Sequence, residues 1–330
     1  MDELVLAGDL GGTNLRIAAV DAAGTVLYRA EAETPRHPNG GKVVDAAVDL
    51  AMECRGAIGR DRDIKGFGFA IPAIIQFDQG KIFSSPNLPE LNGFDLSAEL
   101  ADKLGLKVTL ENDATAAAIG EHWLGASRGF DSSICVTLGT GVGGGIILNG
   151  QPLRGLDGTA GEIGHICVEP LGAACGCGSF GCLEQYSSAS AITRMAEELK
   201  SEFPESGLAK IDAFDALTVY ELGIAGDRLG IEVFRRAGVY LGIALSGLIN
   251  VLNPEVIVLG GGAAEGWDLF IGHVRAEIRK RAFQQPAEFV LKSQHAVMLL
   301  LARDVAAHVF DLGITDGEDT VAALPREIGE

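Results

Sequence analysis

The chain has 330 residues, enough for two ordinary domains, and 47% of them are hydrophobic, which excludes a disordered protein. Its 26 Lys and Arg against 45 Asp and Glu leave a formal charge of −19, which repels phosphate backbones and anionic membranes and argues against binding either. An anionic substrate then needs local positive potential from helix ends, glycine loops or a cation.

Met1-Asp2-Glu3 is acidic and runs straight into an apolar segment, without the basic n-region of a signal peptide. Leu4–Leu10 reads as a buried strand that ends in the tight turn Gly11-Gly12-Thr13-Asn14. Leu15–Val20 and Val26–Glu33 complete a three-strand meander, with Asp21–Gly24 as its second turn. Two prolines and two glycines make 34–41 a loop, and apolar residues at 43, 47, 50, 51, 54 and 58 predict an amphipathic helix over Val43–Ile58. A short strand, Gly66–Ile71, stops at Pro72, and Phe77–Leu91 is irregular. A helix over Phe94–Leu104 leads to a strand over Lys107–Glu111, and Asn112-Asp113 sits where that strand gives way to a helix over Ala114–Trp123.

The second half opens as the first does. Ser132–Leu138, the glycine turn Gly139–Gly145, the returning strand Ile146–Leu148 and the turn Asn149-Gly150 repeat the order strand, threonine-bearing glycine turn, strand, turn. Two weakly similar halves imply a duplicated α/β unit around a cleft. Helices over Ala189–Glu202, Ile231–Asn250, Leu269–Phe283 and Ala302–Phe310 follow, with a short strand Val256–Leu259 before Gly260-Gly261-Gly262. The most apolar stretch, Leu241–Leu252, is too short to span a bilayer and is broken by Gly242, Ser246, Gly247 and Asn250, so a soluble cytoplasmic protein is expected.

His165, Cys175, Cys177 and Cys182 place four metal-ligand side chains within eighteen residues, with Gly176, Gly178 and Gly181 between them. Zinc takes four Cys or His ligands in a tetrahedron, and turns that aim three thiolates at one point need glycine where φ is positive. Four protein ligands leave no open position for water, so the expected zinc is structural. Disulfides and buried free thiols compete with this reading, but nothing points to an oxidising compartment and Cys175 and Cys177 stand too close for an easy bridge. Cys167 is a stray ligand candidate, and Cys54 and Cys135 read as buried thiols. Glu162 and Glu184 bracket the cluster, so a metal that folds this loop also fixes two carboxylates.

Three glycine turns, at 11–12, 139–145 and 260–262, each follow an apolar strand. A hairpin explains one such turn; three, two of them beside Thr13 or Thr140, point to backbone N–H groups cradling a nucleotide's phosphates. Neither a GxxxxGK[ST] loop nor a GxGxxG at the first βα turn is present, against P-loop and Rossmann readings. Asp113 is the candidate base, with a plain helix N-cap as the competing role. Asn112, Glu162, His165 and Glu184 are groups of the kind that bind sugar hydroxyls.

Asp9-x-Gly11-Gly12-Thr13, Asn112-Asp113, Leu138–Gly145, Gly161–His165 and Cys175–Glu184, in that order, resemble the ROK family of repressors, open reading frames and sugar kinases. The resemblance runs from Leu4 to about Gly262. It implies a duplicated actin-like, hexokinase-like (ribonuclease H-like) α/β fold with two domains around a cleft. The small domain would be 1–112 with a C-terminal helix at 303–330, and the large one 113–302 with the zinc loop 162–184. The implied activity is ATP-dependent phosphorylation of a hexose, D-glucose to glucose 6-phosphate ahead of mannose, fructose, allose, N-acetylglucosamine or N-acetylmannosamine. Asp113 would be the general base. Asn87, Asn112, Asp113, Glu162, His165 and Glu184 would hold the sugar, His165 with one ring nitrogen on zinc and the other towards a hydroxyl. Gly11, Gly12, Thr13, Gly139, Thr140 and Gly141 would hold ATP phosphates, Asp9 would help place Mg2+, and Gly261 and Gly262 would approach the adenosine. A homodimer or homotetramer is implied.

Two departures stand out. Ala70-Ile71-Pro72-Ala73 replaces the common Gly-x-Pro-Gly near the sugar, and Asn14 stands where lysine is common beside the phosphate turn. The family's sugar-responsive repressors carry a DNA-binding helix-turn-helix ahead of the kinase-like part; with the phosphate turn beginning at Asp9 and a charge of −19, that alternative is disfavoured.

Overall fold

The computed structural model describes residues 3–292, apart from 39, 60–61 and 78–79. The helix expected over Ala302–Phe310 and the C-terminal helix at 303–330 lie outside the described residues. Because β1 (Leu4–Leu10) is apolar almost throughout, it takes the centre of the first sheet, buried at all but one position. It pairs antiparallel with β2 (Asn14–Asp21), which pairs with β3 (Val26–Glu33), as the meander requires. The helix α1 (Gly41–Ile58) buries Val43, Val44, Ala47, Leu50, Ala51 and Cys54 on one face and returns the chain to β4 (Ile64–Ile71), parallel to β1. A hairpin of β5 (Ile74–Gln76) and β6 (Lys81–Ser84) follows, then α2 (Leu96–Leu104), β7 (Val108–Asn112) parallel to β4, and α3 (Asp113–Trp123). The order β3-β2-β1-β4-β7 puts three parallel strand ends on one edge, with Asp9 level with Ala70 and Ala70 level with Glu111. Ligands of open α/β sheets bind outside such C-terminal strand edges.

The second sheet repeats the first. β8 (Ser133–Leu138) pairs antiparallel with β9 (Val142–Leu148), β9 with the short β10 (Gln151–Pro152), and β8 runs parallel to the later strand β11, in the order β10-β9-β8-β11. Between β10 and β11 come α4 (Glu184–Ser187), α5 (Ala189–Leu199), α6 (Ala216–Ile224) and α7 (Arg228–Leu252); β11 (Val256–Gly260), α8 (Trp267–Arg281) and α9 (Gln284–Lys292) close the described chain. Each sheet has its own apolar core, one around Phe67, Phe69 and α1 and the other around Phe234, Leu241 and Val274. Among the described residues no helix is long and apolar enough to cross a membrane.

The structure corrects several expectations. Gly143, Gly144 and Gly145 are not part of a turn: they lie in β9, paired with Thr137, Val136 and Cys135. They are glycine because both faces are packed to the backbone. A Cβ at Gly145 would lie 2.5 Å from Ala118 Cβ in α3, and one at Gly144 would lie 2.5 Å from Ile163 in the loop after β10. The turn is Gly139–Gly141 alone. α6, α9 and the β5–β6 hairpin were not expected, and α7 starts at Arg228 rather than Ile231 because Asp227 caps it, accepting from the N–H groups of Leu229 and Gly230.

Candidate active site

The two sheets meet at a cleft of about 710 Å³, walled on one side by Pro72, Asn87, Asn112 and Asp113 and on the other by Gly139–Gly141, Glu162, His165 and Glu184. At its floor, β7 turns into α3. Asn112, not Asp113, is the N-cap: its Oδ1 accepts from Ala114 N and Thr115 N, both at 3.0 Å, while Nδ2 donates to Ala73 O at 3.3 Å. With the cap supplied by its neighbour, Asp113 is spared that duty. One of its oxygens accepts from Ala114 N at 2.9 Å, and the other has no hydrogen-bond partner among the described residues.

The Asp113 side chain is open to the water of the cleft, with protein on every other side. That enclosure pushes its pKa up to about 6, the Ala114 N–H pulls it back, and the nearby Asp9 and Glu162 charges add to the rise. Burial also raises Asp9 above its ordinary value, against the pull of Arg16, whose guanidinium lies 3.7 Å away. Beside this pair, Glu111 is buried and raised by desolvation, with Arg154 working against that rise.

Glu162 precedes a single 3-10 turn, Ile163–His165, that aims it and His165 the same way, Glu162 Oε2 lying 3.9 Å from His165 Nε2. The other ring nitrogen, Nδ1, is 3.7 Å from Cys175 Sγ, and Cys177 Sγ is 3.7 Å from Cys182 Sγ. All four ligand atoms lie within 4.8 Å of one another. A tetrahedron with metal–sulfur bonds of about 2.3 Å has edges of about 3.8 Å, which the two 3.7 Å pairs match, and three thiols with one imidazole are a donor set that suits zinc. Gly178 and Gly181 have φ of 92° and 66°, which supplies the turns. Cys167 is outside the cluster, bridging through its backbone to Cys182. Cys54 and Cys135 are buried thiols.

Glu184 opens α4 directly after the cluster, and its Oε2 accepts from Val142 N at 3.0 Å. A Cβ at position 141 would stand 2.3 Å from that oxygen, so Gly141 is what lets the acid cross the turn. The turn is held from behind as well: Ala189 N donates to Gly139 O and Ser190 Oγ to Thr140 O, each at 2.8 Å. Gly261, with φ of 88°, brings the third turn onto the second, since a Cβ there would lie 2.5 Å from Leu138 O.

Residues 5–299 match the ROK family. The chain belongs to that family. It is 37% identical over 294 residues to the glucokinase of Halalkalibacterium halodurans, covering 87% of this chain and 88% of that one. A ROK family glucokinase from Streptomyces griseus, solved with glucose and AMPPNP, superposes with a TM-score of 0.75 at 31% identity, over 94% of this chain and 98% of that one. A ROK family transcriptional regulator superposes with a TM-score of 0.82 at 25% identity, over 93% of this chain and 76% of that one. The duplicated hexokinase-like, actin-like fold is therefore the fold of this ROK chain.

Of the residues singled out from ROK motifs, Asn87, Asn112, Asp113, Glu162, His165, Glu184, Gly139, Thr140, Gly141 and Gly261 stand on the cleft walls. Asp9, Gly11, Gly12, Thr13 and Gly262 do not. The first turn still reaches the cleft wall at Asn87, because the Arg36 guanidinium donates to both Gly12 O and Asn87 O. Arg36 lay in the loop 34–41, which carries no ROK motif, so nothing local in the sequence marked it. Among the described residues no lysine or arginine stands on the cleft walls.

Proposed function

We propose that this chain transfers the γ-phosphoryl group of ATP to the 6-hydroxyl of a hexose, D-glucose before its relatives, with Asp113 as general base. The observation that carries the reading is the convergence of Asp113, Asn112, Asn87, Glu162, His165 and Glu184 on one cleft with the Gly139–Gly141 turn. Phosphoryl transfer asks for positioning, charge neutralisation and one base for the attacking hydroxyl. The first would come from the paired donors and acceptors of Asn87, Asn112, Glu162, His165 and Glu184. Neutralisation would come from Mg2+ held through Asp9 and from backbone N–H groups of the Gly11–Thr13 and Gly139–Gly141 turns, which Gly11 and Gly139 close by donating to Asn14 O and Gly141 O, since among the described residues the cleft walls carry no lysine or arginine. Gly261 and Gly262 would face the adenosine. The likeness to glucokinases over most of both chains favours glucose. The small domain would be 1–112 with the C-terminal helix at 303–330, and the large one 113–302.

The Cys175, Cys177, Cys182 and His165 cluster would hold a structural zinc ion. It would supply no chemistry at the reacting atoms; it would fix the loop so that Glu162 and Glu184 keep their places.

A coupled assay over a hexose panel tests the substrate. Glucose should have the highest kcat/KM; an equal value for N-acetylmannosamine ends the glucose assignment. The pH profile tests the base. Asp113 must be ionised to accept the proton, so kcat/KM should hold above its pKa of about 6 and fall as pH drops through that value. A profile flat from pH 7 to about 4.5, below the raised value and near an ordinary carboxylate, would remove Asp113 from the role.

A further inference from the structure

Glu111 is the residue before Asn112-Asp113, and it is only 2% exposed. A carboxylate so removed from water persists when its oxygens are satisfied. Here they are: Oε1 accepts from Asn112 N at 3.0 Å, and Oε2 accepts from Nε and Nη2 of Arg154 at 3.1 and 2.6 Å. Arg154 belongs to the other half of the molecule. It follows β10 and begins the loop that runs to Gly161-Glu162, the start of the sugar-side wall. That loop is tied to the first half at two further points. The Arg154 guanidinium lies over the Phe77 ring, 4.9 Å from its centre, and Gly158 packs so closely that a Cβ there would stand 2.4 Å from Ile75 O. It also closes on itself, Ala160 N donating to Arg154 O at 3.1 Å. Neither Glu111 nor Arg154 stands on the cleft walls.

A buried ion pair is a poor way to gain stability, since apolar side chains of similar shape do as well or better. What a guanidinium that sets two of its N–H groups on one carboxylate oxygen adds is direction. We propose that the Glu111–Arg154 pair is the positioning device of this active site: it sets the base-bearing end of β7 against the loop that carries Glu162 and His165, and so fixes where Asp113 stands relative to the bound sugar. One carboxylate does both jobs, one oxygen holding the Asn112 peptide on the base side and the other holding the loop on the sugar side. The proposal rests on Asp113 being the base of a hexose kinase. A misplacement of about 1 Å is enough to cost on the order of 10²-fold in rate.

The test is a double-mutant cycle of Glu111→Gln and Arg154→Met, with Arg154→Lys as the conservative variant, read as kcat, hexose KM and thermal midpoint. Arg154 has 38% of its side chain exposed, so Arg154→Met probes the pair without a core lesion even if Glu111→Gln folds poorly. Each single change should lower kcat roughly 10–100-fold with hexose KM moving far less, and the double variant should be no slower than the slower single, because both break one interaction. Arg154→Lys, which keeps the charge and loses the fork, should fall between wild type and Arg154→Met. Lowered thermal midpoints with unchanged kcat would make the pair merely structural and overturn the proposal, and so would single effects that multiply in the double variant. A wild-type chain that phosphorylates no hexose would remove the kinase reading and this proposal together; active wild type with unaffected variants would remove this proposal alone.

Discussion

Asp113→Asn should lower kcat by roughly 10²–10⁴-fold, the usual contribution of a positioned general base, while the hexose dissociation constant measured by calorimetry stays within about tenfold. The asymmetry follows from the local geometry. Asparagine keeps an acceptor oxygen for Ala114 N, so the first turn of α3 loses nothing, and Asn112 caps that helix in any case. What is lost is the group able to take a proton. The exchange also removes one negative charge from a cluster in which Asp9 and Glu162 raise the pKa of Asp113, so the variant should fold at least as well as the parent. Turnover close to wild type in Asp113→Asn would reject the assignment of the base. Sugar binding lost in step with turnover would make Asp113 a binding residue instead.

With zinc at the cluster as proposed, Cys182→Ser should leave the chain metal-free and raise hexose KM by at least tenfold, with ATP KM less affected; metal content per chain by mass spectrometry and the two KM values check this. Cys182 is wholly buried, and without metal its thiol is pushed up to about 12 by desolvation and by the neighbouring thiols. Zinc must therefore displace a proton to bind there, and reloading of metal-free protein should slow as pH falls. A metal at this cluster would hold the loop at both ends. His165 faces the thiols with Nδ1 and Glu162 with Nε2, and Glu184 is two residues beyond Cys182. Outer partners of a metal site change affinity or activity by about 10–100-fold when lost, which sets the scale expected for sugar binding. A metal-free chain with an unchanged hexose KM would show that the cluster and the sugar wall are independent.

Much of the site was legible because its chemistry sits in short motifs. His165 through Cys182 fall within eighteen residues, and their glycines announce the turns. The paired halves were legible from the repeated order of strand, glycine turn and strand. Less local facts were hidden. Nothing near Glu111 in sequence shows that it will meet Arg154, 43 positions away. Asp113 read as either base or helix cap, and only the hydrogen bonds show that the cap is Asn112. The glycine run 139–145 looked like one long turn, because glycine serves equally for positive φ and for close packing, and composition does not distinguish them. α6, Ala216–Ile224, is apolar at most positions and so shows no polar face, and α9, Gln284–Lys292, carries Pro286 near its start, so neither stands out by periodicity.

The bare middle of β9 carries a consequence for anyone wishing to retool this enzyme. Helix α3, which starts at Asp113, lies against one face of Gly145, and Ile163, next to Glu162, lies against Gly144. The glycines at the centre of β9 are thus a calliper between the two jaws of the site, already shut to its narrowest gap. Any larger residue at 144 or 145 would prise the jaws apart, so acceptance of bulkier sugars has to be evolved at the rim, at Ala73, Ile74 and Asn87, with the calliper left alone.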